Sequence, residues 1–293
     1  MSCPLCGGST EAAFTTSDRN RALSRERFQY RRCLACHTYF LANVPADLSP
    51  YYPADYYGFP EAGELDAAAA HEAPKLALIT RHAAPGRLIE IGPGPGSFAR
   101  AARNAGFDVT AIEMDPACCE YLERVAGVRA VQSEKPDQAL ADLEPAEAIA
   151  MWHVVEHVPQ PWQLIDAAAS RLARGGVLAI AMPNPQSLQF RLLRGRWAHV
   201  DAPRHLFLIP YPVLRARLEE LGLEVLQVTS SGPVGIGLNR LGWEYALQRF
   251  PARRSASRPV RRLAAIIEGG LAPIERRGLS GAAYSVLARK RDR

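Results

Sequence analysis

Residues 88–99 read Leu-Ile-Glu-Ile-Gly-Pro-Gly-Pro-Gly-Ser-Phe-Ala, and residues 111–115 read Ala-Ile-Glu-Met-Asp. The first four residues are apolar apart from Glu90, which is typical of a buried parallel strand. Three alternating glycines then allow a tight turn and let a ligand approach the backbone, and Ser97 can cap the helix that follows. Glu113 ends the next predicted strand. The two stretches therefore predict a strand, a turn, a helix and a second strand with a carboxylate at its end.

The carboxylate of Glu113 is placed where it can accept hydrogen bonds from both hydroxyls of a ribose. The glycines stand at Gly92, Gly94 and Gly96, whereas dinucleotide-binding loops have the third glycine one position later. With Glu90 two residues before the first glycine, the pattern resembles the first motif of class I S-adenosylmethionine (SAM) methyltransferases. The resemblance implies that Glu90 orients the methionine amino group of the cofactor and that S-adenosylhomocysteine is the product. The alternative is a glycine turn that binds no ligand.

Strand and helix patterns continue to alternate after this unit. Strands are predicted at 128–131, 146–151, 176–181, 224–229 and 283–289, and helices at 66–83, 97–105, 116–125, 136–143, 161–173 and 211–222. The alternation predicts an α/β protein with a Rossmann-like, doubly wound parallel sheet and helices on both faces. The resemblance implies seven strands, with the last one antiparallel. A Gly-Gly pair at 175–176 is expected to separate the fifth strand from the helix before it.

The fourth predicted strand ends in Met-Trp-His-Val-Val-Glu-His-Val-Pro at 151–159. The Glu-His-Val with a following proline also resembles the methyltransferase family, and it lies at a carboxyl strand end, where α/β proteins bind ligands. Trp152 and His153 are therefore candidates for contact with the cofactor or the reacting methyl group, and His153 is a catalytic candidate. Glu156 and His157 are assigned to the start of the next helix.

Two further positions complete the predicted cofactor site. Met114 directly follows the ribose carboxylate, and Ser133 follows the third strand, where the family commonly has an aspartate near the adenine. The full predicted cofactor set is Glu90, Gly92, Gly94, Gly96, Glu113, Met114, Ser133, Trp152 and His153.

Residues 195–212 form a predicted loop that is dense in Trp, His, Asp and Arg and follows the fifth strand, which is typical of a substrate site. The pair Arg204-His205 resembles the position at which zinc-module sugar C-methyltransferases use a Glu-His pair for proton chemistry, with arginine in place of the glutamate. His205 is therefore either a general base or a residue that orders the loop. The further substrate candidates in this loop are His199, Asp201 and Arg204.

Two Cys-x-x-Cys knuckles lie near the amino terminus, one at Cys3 and Cys6 and the other at Cys33 and Cys36. Such turns place four thiolates around one zinc ion, and a metal with four protein ligands stabilises the fold without taking part in catalysis. A disulfide is disfavoured in a reducing cytoplasm. We therefore expect a closed structural zinc site.

The chain divides into three predicted parts, which are a zinc-binding module at 1–45, a tyrosine-rich connecting segment and helix at 46–85, and a SAM-dependent methyltransferase domain at 86–293. Tyr56 and Tyr57 belong to the connecting segment and are candidate substrate residues, because this segment either lies across a substrate cleft or straps the domains together. A basic helical insertion at about 232–280 separates the last two strands. We expect it to form a lid, a dimer contact or a surface that rests on an anionic membrane.

The 293 residues carry a formal charge of +5, and arginine supplies nearly all of the positive charge. We expect no nucleic-acid binding from this bias. The 48% of hydrophobic residues is enough for a large core. Neither a signal peptide nor a transmembrane segment is predicted, so that we expect a cytoplasmic protein, either a monomer or a homodimer.

Together these features predict SAM-dependent methyl transfer to a small-molecule acceptor, such as a sugar nucleotide, a glycan or lipid-linked intermediate, or a natural product. One alternative is an adaptor or binding protein with a zinc module and a degenerate methyltransferase fold, which the intact motif residues disfavour. Another is an NAD-dependent oxidoreductase, which the early third glycine disfavours.

Overall fold

The computed structural model describes residues 1–248 and 256–291, without the side chains of residues 233–236. Its strands are β1 (Thr10–Thr16), β2 (Phe28–Cys33), β3 (Tyr39–Leu41), β4 (Arg87–Ile91), β5 (Asp108–Glu113), β6 (Arg129–Gln132), β7 (Ala146–Trp152), β8 (Leu172–Pro183), β9 (Phe207–Leu208), β10 (Leu223–Thr229) and β11 (Ala283–Lys290). Its α-helices are α1 (Ala62–His71), α2 (Ala73–Thr80), α3 (Ser97–Asn104), α4 (Pro116–Tyr121), α5 (Pro136–Ala141), α6 (Pro161–Arg171), α7 (Leu188–Leu193), α8 (Tyr211–Glu220), α9 (Pro233–Leu247) and α10 (Arg258–Glu275).

Seven strands form one mixed sheet in the order β10-β11-β8-β7-β4-β5-β6. Strands β4 to β8 pair in parallel, and β11 runs antiparallel to both of its neighbours. The predicted Rossmann-like, doubly wound fold with an antiparallel last strand is confirmed. Because the chain leaves β4 towards β5 and later returns to place β7 on the other side of β4, a crevice opens at the carboxyl ends of these strands.

Two predicted boundaries were wrong. The helix predicted at 66–83 is split into α1 and α2 around Glu72, and Pro74 stands in the first turn of α2, where its missing N–H costs nothing. The Gly-Gly pair lies inside β8 rather than before it. A Cβ on Gly176 would lie 3.0 Å from the backbone oxygen of Ala146, so that glycine here permits a close approach of two strands.

A second, four-stranded sheet has the order β1-β2-β3-β9. Its first three strands come from the cysteine-containing amino terminus, but β9 comes from the loop after β8. The register pairs Phe40 with Phe207 and Tyr39 with Leu208. In addition, the indole N–H of Trp162 on α6 donates to the carbonyl of Leu5. The amino-terminal region therefore shares backbone hydrogen bonds with the main domain.

The insertion between β10 and β11 contains α9 and α10, while residues 249–255 lie outside the described part of the chain. Although more than fifty residues separate them, β10 and β11 are adjacent antiparallel partners. The buried carboxylate of Glu275 accepts hydrogen bonds from Gln189 and from Trp243, so that α10 is anchored to α7 and α9. Within the described ranges, we find no helix with the length and apolar character that a bilayer crossing requires.

Candidate functional site

The glycine turn after β4 adopts a backbone that only glycine accommodates at low cost. Gly92, Gly94 and Gly96 have φ values of 65°, 54° and 81°. A Cβ on Gly94 would lie 2.9 Å from the ring of Tyr57, and a Cβ on Gly96 would lie 2.4 Å from Leu122. The turn therefore has room for backbone alone.

The carboxylate of Glu113 joins the end of β5 to this turn. Its Oε2 accepts from the N–H of Gly94 at 3.0 Å, and its Oε1 accepts from the N–H groups of Met114 at 2.7 Å and Asp115 at 3.1 Å. A carboxylate has about four acceptor positions, so that one position on Oε2 remains. Glu113 is 3% exposed, and a ribose hydroxyl fits this chemistry.

Glu90, on β4, is a second buried acid and stands two residues before the glycine turn. Its Oε2 has no hydrogen-bond partner among the described residues. Burial raises the pKa of Glu90 to about 8, although the nearby Lys75 ammonium opposes the rise. An unsatisfied buried acid is costly unless a donor or cation meets it. The amino group of an amino-acid ligand would supply both.

Trp152, at the carboxyl end of β7, lies on the α2 side of the sheet. Its ring packs edge-on against Phe98, and the ammonium of Lys75 lies 5.3 Å from its centroid. Trp152 and Lys75, together with Thr229 and Ser285, line a cavity of about 260 Å³. The predicted cofactor residue Trp152 thus borders open space at the strand edge.

The remaining cofactor candidates lie beside Glu113. Ser133 follows β6, and its N–H donates to the carbonyl of Glu113 at 2.8 Å. Met114 is exposed, so that its side chain is accessible next to the turn. Ser133 and Met114 therefore lie beside the carboxyl ends of the parallel strands β5 and β6.

On the other side of the crevice, His153 follows β7 with a φ of 60°, which is strained for a residue with a side chain. Its Nδ1 lies 3.2 Å from Oε1 of Glu156, and its Nε2 has no described partner. Burial alone would raise the pKa of Glu156, but the hydrogen bond with His153 and the neighbouring histidines lower it. The buried group is therefore a carboxylate that orients His153.

His157 and His205 lie next to this pair, with ring centroids 4.5 Å apart. Nδ1 of His205 lies 2.9 Å from the carbonyl of His199. A carbonyl only accepts hydrogen bonds, so that in the neutral imidazole Nδ1 carries the proton and Nε2 keeps a lone pair. Nδ1 of His157 contacts the hydroxyl of Tyr52 at 3.1 Å, and burial lowers the pKa of His157 to about 4.

Glu156 and His157 precede the helix that the sequence predicts from residue 161, and their role in setting its start stays a prediction. Helix α6 begins at Pro161, and both residues lie in the turn before it. Their side chains meet His205, which belongs to a loop almost fifty residues later. The sequence contained a usable signal, because a Glu-His pair at a carboxyl strand end is where α/β proteins place ligands.

The tyrosine-rich segment runs from the glycine turn to the histidine cluster. Tyr57 covers Gly94, and its ring packs edge-on against Tyr56 at 4.9 Å. Tyr56 in turn packs against Tyr52 and carries the guanidinium of Arg21 at 4.1 Å from its centroid. The segment is packed as an interdomain strap would be, and it also lies along the crevice, so that both predicted roles remain open.

Arg204 makes contacts different from those expected of a substrate residue. It is 1% exposed, and its Nη2 donates to Asp18 and to Asp201 at 2.7 Å each. Nη1 donates to the carbonyl of Tyr51. The guanidinium therefore cross-links the amino-terminal region, the tyrosine-rich segment and the 201–205 loop, and the prediction that Arg204 and Asp201 contact substrate stays a prediction. His199 is also engaged, since its Nε2 contacts the carbonyl of Leu238 on α9 at 3.1 Å.

The four amino-terminal cysteines converge. The Sγ atoms of Cys3 and Cys36 are 3.8 Å apart, those of Cys6 and Cys33 are 3.5 Å apart, and all four lie within 4.8 Å of one another. None of them is in a disulfide. Burial opposes ionisation of Cys33, but the N–H groups of Cys36 and Ala35 lower its pKa to about 7. Four convergent thiols of this kind suit a tetrahedral metal.

Comparison with protein families gives a match over most of this site. The family model described as a methyltransferase domain matches residues 63–228. The ubiquinone biosynthesis O-methyltransferase of Xylella fastidiosa is 33% identical over 112 residues, which are 36% of this chain and 45% of that protein. The protein of the same name from Xanthomonas campestris is 32% identical over 121 residues, which are 39% and 51% of the two chains. The chain thus spans about half the length of the curated relatives it matches.

Solved structures share the fold. A SAM-dependent methyltransferase from Archaeoglobus fulgidus has a TM-score of 0.50 at 18% identity and covers 77% of this chain and 94% of its own. An S-adenosylmethionine-dependent methyltransferase from Mesorhizobium loti also has a TM-score of 0.50, at 16% identity, with 77% and 100% covered. At these identities the likeness concerns the arrangement of helices and strands alone.

Proposed function

The chain belongs to the methyltransferase domain family, and we propose that it transfers the methyl group of SAM to a small-molecule acceptor. The glycine turn, Glu90 and Glu113 supply the sites that such a cofactor requires, namely close backbone approach, a partner for an amino group and an acceptor for ribose hydroxyls. When bound, the cofactor would supply a methyl group on a positively charged sulfur and leave as S-adenosylhomocysteine.

One observation carries this proposal. Glu90 is a 3% exposed acid whose Oε2 lacks a partner in the described part of the chain, and it stands two residues before the turn that Glu113 braces. A domain that only served as an adaptor would gain nothing from an unsatisfied buried acid. Trp152, Met114 and Ser133 would contribute the walls around the nucleoside and the methionine.

The direct test is calorimetric titration of the purified protein with S-adenosylhomocysteine, with NAD as the control. We expect micromolar binding of S-adenosylhomocysteine and no binding of NAD. Binding of NAD alone would replace the proposal by the oxidoreductase alternative. Binding of neither ligand would favour the adaptor alternative.

On the acceptor side, we assign His153 and His205 as the catalytic candidates. Each has an Nε2 atom that its own hydrogen bonds leave available, and Glu156 or a carbonyl fixes the ring. Tyr56, Tyr57 and His199 would form walls of this pocket. The names of the curated relatives favour an oxygen acceptor, while sugar nucleotides, glycan or lipid-linked intermediates and natural products are the acceptor classes to screen by formation of S-adenosylhomocysteine.

We further propose that Cys3, Cys6, Cys33 and Cys36 bind one structural Zn²⁺ ion. The support is the convergence of four Sγ atoms without a disulfide. Metal analysis should find about one zinc per chain in this cluster. Free alkylation of Cys3 and Cys33 in the native protein, together with no zinc, would remove the assignment. We also propose a cytoplasmic location, where thiols are kept reduced and available to the metal.

A further inference from the structure

Three side chains converge on the acceptor side, those of Glu156, His157 and His205. Glu156 and His157 come from the turn after β7, and His205 comes from the loop before β9. The two segments are joined by the N–H of Leu206, which donates to the carbonyl of Glu156 at 2.7 Å. One carboxylate oxygen and one ring nitrogen from each histidine lie within 4.8 Å of one another. The fold therefore brings two imidazoles and a carboxylate to one point.

The relation of the two rings is that of neighbouring ligands. Their centroids are 4.5 Å apart and their planes meet at 87°. With metal–nitrogen bonds of about 2.1 Å, two imidazoles whose bonds to one ion form a right angle would have centroids about 4.6 Å apart. The centroid spacing of His157 and His205 is thus that of two ligands at a right angle, while the ligand atoms, which lie within 4.8 Å of one another, would have to move closer together to share one ion.

Each of the three groups is held by a partner of its own. The carbonyl of His199 orients the ring of His205, and the hydroxyl of Tyr52 contacts Nδ1 of His157. Oε1 of Glu156 contacts His153. Outer contacts of this kind fix the tautomer and orientation of metal ligands in proteins.

Glu156 provides an independent observation that points to a cation. The residue is completely buried, and its Oε2 has no hydrogen-bond partner within the described chain. The cationic side chain of the neighbouring loop, Arg204, is already engaged by Asp18, Asp201 and a carbonyl. Because an unmet carboxylate oxygen in the interior costs free energy, a positive ligand at this point would be stabilising.

We propose that Glu156, His157 and His205 form a second metal site, separate from the four cysteines, for a divalent first-row transition ion. Two histidines and one carboxylate leave coordination positions open. The role of the ion rests on the proposed function: its open positions would take oxygen atoms of the methyl acceptor and hold them beside the cofactor crevice. His205 then acts as a ligand, which explains why a carbonyl fixes its tautomer with Nε2 unprotonated.

The experiment is a Co²⁺ titration of the full chain after removal of bound metal, followed by absorption spectroscopy. Cobalt bound to the cysteines gives intense thiolate-to-metal charge-transfer bands, whereas cobalt bound to nitrogen and oxygen gives only weak d–d bands. We expect about two equivalents, one of each type. Glu156→Gln and His157→Gln should each weaken the second equivalent at least tenfold and leave the charge-transfer bands unchanged. His71→Gln, at an exposed position on α1, is the matched histidine control and should bind both ions.

Titration with S-adenosylhomocysteine runs in parallel on the same samples and reports the proposed function separately. A protein that binds cobalt only with charge-transfer bands would overturn the second site, even if it binds S-adenosylhomocysteine well. If both variants still bind the cobalt equivalent that gives only weak d–d bands, the second site is also overturned. Where a variant does not fold, as seen by circular dichroism, the wild-type stoichiometry and band types decide the question.

Discussion

The two sides of the crevice are built in different ways. The cofactor side is local, since Glu90, the glycine turn and Glu113 lie within 24 consecutive residues and are joined by one short parallel strand pair. The acceptor side draws Arg21, Tyr52, His157 and His205 from four separate segments. Local motifs fix cofactor chemistry, whereas the acceptor site depends on how distant parts of the chain pack. Changes on the two sides should therefore have separable effects.

The largest expected effect is on turnover. His205→Ala should lower kcat by about 10²–10⁴-fold, because the acceptor loses either a base or a metal ligand. The affinity for S-adenosylhomocysteine should stay unchanged, as measured by calorimetry. His71→Ala serves as the control with normal turnover. A matching loss of cofactor affinity in His205→Ala would end the separation of the two sides.

The next effect is on stability. Arg204→Ala should reduce the free energy of unfolding by about 3–5 kcal/mol, because Asp18 would remain buried, and Asp201 half-buried, without their cation. Chemical denaturation measures it. Arg215→Ala is the control, since the Arg215–Glu219 pair is exposed. This substitution should leave the denaturation midpoint unchanged. Equal midpoints for the two variants would contradict the cross-link.

The contact between Asp201 and Arg204 also predicts that the stability of the protein depends on pH. Burial would raise the pKa of Asp201, but its hydrogen bond and proximity to Arg204 hold that pKa well below the usual range. A carboxyl with a depressed pKa in the folded protein stabilises it above the unfolded value of about 3.9. This contribution should be lost as the pH falls below that value, and Arg204→Ala should lose less stability on acidification than the wild type does.

A smaller effect is expected on cofactor affinity. Glu113→Ala should weaken binding of S-adenosylhomocysteine by about 1–3 kcal/mol, because ribose hydroxyls and the N–H groups of Gly94 and Met114 lose their acceptor. Glu113→Gln keeps one carbonyl oxygen and should lose less. Calorimetry on folded samples provides the comparison, and unchanged affinity in the alanine variant would remove Glu113 from the ribose site.

The smallest expected effect is the release of a proton when the cofactor product binds. Because burial raises the pKa of Glu90 to about 8, this acid is protonated in the free protein at pH 7, and a ligand ammonium would favour its ionised form. Binding of S-adenosylhomocysteine at pH 7 should therefore release up to about one proton. Calorimetry in buffers of different ionisation enthalpy measures the release, and Glu90→Gln should abolish it. Equal release in both proteins would place the amino group elsewhere.

The sequence predicted most of the fold because its deciding signals are local. Apolar strands and the glycine turn each depend on a few neighbouring residues, so that the parallel sheet and the place of Glu113 follow from residues 88–115. The predicted cap at Ser97 was wrong, because Gly96 is the N-cap of α3 and the hydroxyl of Ser97 donates to Glu72 instead. The Gly-Gly pair inside β8 was missed, since a neighbouring strand decides it. The helix break at Glu72 was missed although Pro74, in the first turn of α2, is a local signal for it.

The contacts within the acceptor side could not be predicted from the sequence, for a physical reason. A buried arginine that meets Asp18 and Asp201 looks in the sequence like an arginine that meets a substrate. The two-residue strand β9 is too short to leave a pattern, and its pairing with β3 appears only in three dimensions. Glu156 and His157 likewise gained a partner, His205, that no local rule supplies.

The shared sheet of β1, β2, β3 and β9 has a consequence for protein engineering. A loop swap that carries residues 195–212 into another enzyme would leave β9 without its edge partner and Arg204 without Asp18. The transplantable unit is the loop together with the first 45 residues. Acceptor preference in chimeras of this scaffold should therefore travel with the amino terminus and the loop as a pair.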